Sequence, residues 1–261
     1  MQELDSYINN ARNLPPAPRI LPRLLLLLGQ PNIDTGLVVN LLMHDPGLTA
    51  NVLKLCNSAY FGSATPAETL EEAIQRLGFR EVYRLVAALS GARALSASQK
   101  GYGLEAGQLW KHSVTAALAA QLLARNRMAD EAMIFTATLL HDIGKVVLSE
   151  VLESRYTQLV MEIETQEIPV LDAEKILLGV QHAEIGGRLL HRWKFPPPLV
   201  AGVWYHHDPA ETQHSEVAAF VYFGNMIAHF LGHGYGHQAF AFETHAEALE
   251  ILNLEAGEIS R

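Results

Sequence analysis

At 261 residues, with 49% hydrophobic and 18% charged side chains, the chain has material for one or two buried cores, which excludes a disordered or low-complexity protein. A net charge of −9 argues against a general nucleic-acid or anionic-membrane surface, and the single cysteine, Cys56, excludes an intrachain disulfide and fits a reducing cytoplasm. The charge is unevenly placed: residues 1–100 balance at +1, whereas residues 101–261 carry −10 and eleven of the twelve histidines. Chemistry is therefore expected in the second part. The longest aliphatic run, leucines 24–28, is far short of the roughly 18–20 residues a membrane span needs. The opening MQELDSYINNAR lacks the basic-then-apolar order of a secretory signal.

Apolar residues recur at helical spacing and no segment sustains a period of two, so an all-α fold is expected. Asp34 is placed to cap a helix carrying Leu37, Val38, Leu41 and Leu42. Thr69-Leu-Glu-Glu72 has the form of a capping box opening a helix that closes at Gly78. A further helix covers 80–95, with Val82, Leu85, Val86 and Leu89 on one face. The polar, glycine-bearing stretch 97–107 marks the expected boundary between an N-terminal helical subdomain, 1–100, and a histidine-bearing helical domain, 101–261. In that domain helices are expected around 108–125, 130–148, 153–167, 171–178, 182–193, 197–206, 214–231 and 243–252. Pro196-Pro-Pro198 and His207-Asp-Pro209 act as stops.

Two of these helices are unusual. Between 114 and 124 the only polar side chains are Thr115 and Gln121, so this helix is expected in the core, with His112 at its start. The run MIFTATLL leads directly into His141-Asp142-Ile-Gly-Lys145. A carboxylate ending so apolar a helix is costly unless a cation or several donors meet it. A His–Asp hydrogen bond at the helix end would answer that for the pair alone. Further histidines at helix ends, His182 and His206-His207, point instead to a metal centre, and imidazole with carboxylate suits Zn, Mn, Fe or Ni.

His112 followed by His141-Asp142-Ile-Gly-Lys145 resembles the H…HDxGK signature of the HD metal-dependent phosphohydrolases. His182 and His206-His207 resemble the additional histidines of the HD-GYP branch. Leu21-Pro22, His44-Asp-Pro-Gly-Leu-Thr49, Leu55-Cys-Asn-Ser-Ala-Tyr-Phe-Gly62, Ala73-Ile-Gln-Arg-Leu-Gly78 and Trp193-Lys-Phe-Pro196, in that order, are similar to the HDOD family, the HD-related output domain. The resemblance covers residues 14–230 and implies an all-α, cytoplasmic, bacterial regulatory or signal-transduction module. Its implied partner is a signalling protein or a phosphate-containing small molecule, not a nucleic acid.

Most HDOD members have lost the metal ligands, whereas this chain retains six. The resemblance implies one metal position formed by Asp142, His182, His206 and His207. A second would have His112, His141 and Asp142, with Asn225 where active relatives carry an aspartate. One or two divalent ions (Fe, Mn, Ni or Zn) would be held. The alternative is an active phosphohydrolase on a nucleotide or phosphodiester, with Asp142 and Lys145 catalytic and Lys145 stabilising developing negative charge. Gln108 stands where the HD-GYP pattern has a glutamate four residues before the first histidine, and no GYP loop follows His207. These departures argue against cyclic-di-GMP cleavage.

Other residues have plainer readings. Cys56 and the three tryptophans are expected in the core, and His44 in a turn. The leucine-rich run 21–28 is expected to be buried between the two helical parts. His229, His233 and His237 fall at fourfold spacing but are expected to form a solvated terminus, because Gly232, Gly234 and Gly236 interrupt the helix. Asn57 and Tyr60 are placed to shape a functional surface.

Overall fold

The structure is a computed structural model that describes residues 2–12, 14, 17–58, 66–233 and 246–254. Tyr60 and His237 lie outside these residues. The fold is all-α, and beyond helices the described residues contain one isolated bridge, Gln99 with Leu104. The chain divides into two compact units, Ala17–Ser90 and the combination of Met1–Pro16 with Gly91–Arg261. That division differs from a single boundary near residue 100, because the first helix, α1 (Gln2–Asn10), belongs with the histidine-bearing part.

The smaller unit holds α2 (Ile20–Leu28), α3 (Thr35–Met43), α4 (Pro46–Cys56), α5 (Leu70–Leu77) and the start of α6 (Phe79–Leu95). Its helix starts follow the sequence. Asp34 accepts from Gly36 and Leu37 N–H at 2.8 and 3.3 Å, and Asp45 accepts from Leu48 N–H at 2.9 Å with Pro46 in the first turn. Thr69 accepts from Glu72 N–H at 3.2 Å, but Glu72 reaches back to Glu68 N–H rather than to Thr69, so only half of the capping box forms. Gly78, at φ 79°, ends α5. Leu21, Leu24 and Leu25 are buried while Leu26 is 61% exposed, so the leucine run presents one buried face. Cys56 is buried.

In the larger unit, α1 packs Leu4 and Ile8 inward and is tied to later helices. Arg188 donates to both Asp5 oxygens at 2.9 and 2.7 Å, and the Tyr7 hydroxyl donates to Leu178 O at 2.9 Å. The unit continues with α7 (Gln108–Asn126), α8 (Glu131–Leu139), α9 (Ile143–Glu153), α10 (Tyr156–Gln166), α11 (Val170–Leu178), α12 (His182–Arg192), α13 (Pro197–Trp204), α14 (Ser215–Ala228) and α15 (Ala246–Leu252). A π-helical turn, His229–His233, follows α14.

Two expectations need correction. The helix expected over 130–148 is two helices, broken at Leu140–His141–Asp142, where Leu140 and Asp142 adopt φ/ψ of −106/6° and −94/10°. Burial on every side leaves no periodicity to mark such a break. Nor is α7 core all round, since Leu118 and Leu122 are 56% and 59% exposed. Its buried face is mostly small instead, with Ser113, Ala116, Ala117, Ala120 and Ala124 alongside Leu109, His112 and Gln121. That smallness lets α14 approach, for a Cβ on Gly224 would lie 2.6 Å from the Ala116 carbonyl oxygen. The stretch Glu131–Glu153 is long and apolar enough to cross a membrane, yet 89% of its most apolar window is buried within the protein, as in a core helix.

Candidate metal centre

Five elements of the larger unit bring their ends together. His112 lies one turn into α7, His141 and Asp142 form the break between α8 and α9, and Lys145 lies within the first turn of α9. His182 is the first residue of α12, and His206-His207 follow α13. Gly144 makes the meeting of α9 and α12 possible. A Cβ there would stand 1.9 Å from the His182 carbonyl oxygen, so any other residue would push Asp142 away from His182.

The six residues read from the sequence as metal ligands form two groups, His182–His206–His207 and His112–His141–Asp142, each with its ligand atoms within 4.8 Å of one another. All but the half-buried His207 are buried. Asp142 links the groups: its Oδ1 lies 3.2 Å from His182 Nε2, and its Oδ2 lies 3.5 and 3.8 Å from Nε2 of His141 and His112. Lys145 Nζ donates to Oδ2 at 2.8 Å.

The hydrogen bonds on the far side of each ring decide what the near side can do. A carbonyl oxygen only accepts, so a ring nitrogen facing one must carry the hydrogen. His112 Nδ1 faces His233 O at 3.0 Å, His141 Nδ1 faces Thr138 O at 2.6 Å, and His206 Nδ1 faces Val203 O at 2.7 Å. Each of these neutral rings therefore turns a bare Nε2 lone pair inward. The Nε2 atoms of His112 and His141 face each other at 3.3 Å, where two acceptors cannot hydrogen-bond. Buried His206 Nε2 has no hydrogen-bond partner. Convergent lone pairs with oxygen-anchored opposite nitrogens are the donor set of a metal site, and the residues present fit a divalent transition ion.

The electrostatics keep these donors available. Burial holds His112, His206 and His207 well below the usual 6.5, reinforced by neighbouring imidazoles, and burial lowers His141 as well. Burial alone would push Asp142 up, but Lys145 and the adjacent imidazoles outweigh it and hold the carboxyl well below its usual range. His182 goes the other way: the charge of Glu174, with hydrogen bonds to Asp142 and Glu174, overrides burial and raises it.

Two groups escape the sequence reading. Glu174, fully buried on α11, accepts from His182 Nδ1–H at 2.9 Å. His229 is no solvated terminus: its ring lies 4.8 Å from that of His112, and burial with the charge of Lys145 lowers it to about 4. The signal was its place one turn after Asn225 on the same helix; Gly232, at φ 77°, bends the chain only beyond it. Asn225 is buried, with Oδ1 lacking a hydrogen-bond partner. Gln108 is exposed and accepts from Glu105 N–H at 2.7 Å, so it serves the helix start rather than the cluster.

Comparison with known proteins places these features in context. The HDOD domain matches residues 14–209. An uncharacterized protein of Treponema pallidum is 29% identical over 231 residues, covering 87% of this chain, and the chain spans 44% of that protein's length. An HDOD domain protein of unknown function from Geobacter sulfurreducens aligns over 98% of this chain and 88% of its own, at 25% identity and a TM-score of 0.79. A candidate phosphohydrolase from Shewanella amazonensis aligns over 98% of this chain and 91% of its own, at 24% identity and a TM-score of 0.71, a likeness of fold.

Proposed function

The chain belongs to the HDOD domain family, and from that premise we propose that it is a bacterial, cytoplasmic signal-transduction module whose HD-like site binds a divalent transition metal and does not turn over a phosphodiester. One observation carries this reading. Asp142 Oδ1, His182 Nε2 and the bare Nε2 of His206 converge with His207, whose Nε2 lies 3.1 Å from that of His182. These four residues would hold the ion. On the other side of Asp142, Oδ2 already receives the Lys145 ammonium, and Asn225 brings no charge. A second ion there would meet imidazoles and one shared carboxylate, a weak attraction for a dication. The asymmetry supports binding at one position over a two-ion clamp on a phosphoryl group.

An active phosphohydrolase is the second reading, favoured by Lys145, a buried cation beside Asp142 that could stabilise charge on a phosphoryl oxygen. A bound ion would supply Lewis acidity toward the same group. The partner on the signalling reading is another protein or a phosphate-containing small molecule. Elemental analysis of freshly purified protein, with a phosphodiester turnover panel, separates the readings. One transition-metal ion per chain without turnover is expected. Protein that stays metal-free after anaerobic purification and reconstitution with Fe, Mn, Ni and Zn sinks both readings; turnover abolished by Asp142→Ala establishes the second.

A further inference from the structure

His182 differs from the other histidines in what stands behind it. His112, His141 and His206 each lean on a neutral backbone carbonyl, whereas His182 leans on a carboxylate. Glu174 is fully buried and takes three donors: His182 Nδ1–H at 2.9 Å, His182 backbone N–H at 2.8 Å, and the Tyr102 hydroxyl at 2.7 Å. The three come from two directions and two distant segments, so the carboxylate is fixed in orientation from both sides. Tyr102 belongs to the 3-10 turn Lys100–Tyr102, which is pressed onto α9 by a bond from Gly101 N–H to Ser149 Oγ at 3.1 Å.

We propose that Glu174, oriented by Tyr102, is a positioning residue that draws the His182 hydrogen to Nδ1 against the pull of Asp142 on Nε2, and so leaves the Nε2 lone pair for an ion held together with Asp142 and His207. The assignment rests on the metal-binding reading given above for what that lone pair serves. A carboxylate behind a ligating imidazole fixes its tautomer and orientation and makes it a stronger donor. Glu174→Leu keeps volume but removes the acceptor. Glu174→Gln keeps an acceptor for both His182 N–H groups, because Tyr102 oxygen can accept from the new amide.

The test reads two quantities in the full chain. Long-range proton–nitrogen NMR of metal-free protein at pH 9 reports which His182 nitrogen carries hydrogen. Cobalt(II) titration followed by visible absorption reports affinity. Wild type and Glu174→Gln are expected to show Nδ1–H, with cobalt affinities within about threefold of each other. Glu174→Leu is expected to lose that confinement and to bind cobalt about 10–100-fold more weakly. Tyr102→Phe, which leaves the acceptor in place, is expected to keep Nδ1–H. An Nε2–H His182 in wild type overturns the assignment even if Glu174→Leu fails to fold. So does a folded Glu174→Leu that binds cobalt as wild type does. Absence of cobalt binding in wild type with Nδ1–H intact leaves the positioning role standing and overturns the metal reading instead.

Discussion

The two halves of the histidine cluster share one carboxylate and use it differently. On the His182–His206–His207 side, Asp142 Oδ1 faces His182, and a second buried carboxylate, Glu174, stands behind that ring. On the His112–His141 side, Asp142 Oδ2 carries the Lys145 ammonium, and both imidazoles are anchored by neutral carbonyls. Similar ligand atoms thus sit in opposite fields. The first half offers a cation the Asp142 oxygen that Lys145 does not bond, with the second carboxylate behind His182, while the second half already contains a cation. Ligand counting would rate the halves alike; charge counting separates them.

The largest effect should come from the shared residue. Asp142→Ala removes the only carboxylate common to both halves and leaves the Lys145 ammonium, 2% exposed, without it. Tightly bound metal should fall below detection by elemental analysis, and the metal-free fold should lose about 3–5 kcal/mol, the usual cost of stranding one partner of a buried pair. Melting of metal-free protein checks the second figure. A variant that keeps its metal would place the ion elsewhere. Lys145→Met breaks the comparison from the other side, leaving Asp142 as an uncompensated charge. Metal-free stability should drop by about 3 kcal/mol, and at one fixed zinc concentration zinc should stabilise the variant more than wild type, because removing the ammonium lowers the Kd. Zinc stabilising the variant no more than wild type would contradict Lys145 as occupant of the second half.

Much of this was legible in the residues. His112, the HDIGK run, His182 and His206-His207 announce a donor set by type and by their places at helix ends, and Asp34 and Thr69 announce helix starts. What stayed hidden is non-local. Glu174 lies in an ordinary amphipathic helix, VLDAEKILL, where nothing distinguishes an inward glutamate until α12 packs over it. His229 is disguised by the glycine three residues on, although the helix reaches the histidine before the chain bends. Leu118 and Leu122 mislead because hydrophobicity suggests burial, whereas the buried side of α7 had to be alanine to admit Gly224. The break at Leu140–Asp142 leaves no mark in the periodicity because residues 134–149 are buried throughout, and only the polar pair His141-Asp142 signals a helix end there.

A pair of single substitutions measures the asymmetry directly. His207→Ala should weaken the tight site by at least about 100-fold, beyond the range of outer-shell losses, because it removes a donor from the half that carries the field. His112→Ala should change that affinity by less than about threefold, since its ring meets the other oxygen of Asp142 at 3.8 Å. Zinc competition against a chromophoric chelator resolves both. Equal losses would mean that one ion spans the whole cluster and that the halves are not separate positions.

The smallest effect tests whether the weak half can be strengthened. Asn225 is 4% exposed, its Oδ1 has no hydrogen-bond partner, and one turn later His229 packs its ring against His112. Asn225→Asp changes an amide oxygen to a carboxylate at nearly constant volume, offsetting the Lys145 ammonium with a second negative charge. Manganese, a hard ion that prefers carboxylate oxygen, should then bind as a second equivalent about tenfold more tightly, equivalent to about 1.4 kcal/mol. Without metal the variant should be less stable than wild type, because a buried carboxylate lacking a partner is costly. Metal should therefore stabilise it more than it stabilises wild type. Gln108→Glu is the control: its side chain is exposed and bonded to Glu105 N–H, so it should alter neither stoichiometry nor affinity. A manganese isotherm unchanged by Asn225→Asp would place residue 225 outside the second half. The weakness of that half would then come from Lys145 alone.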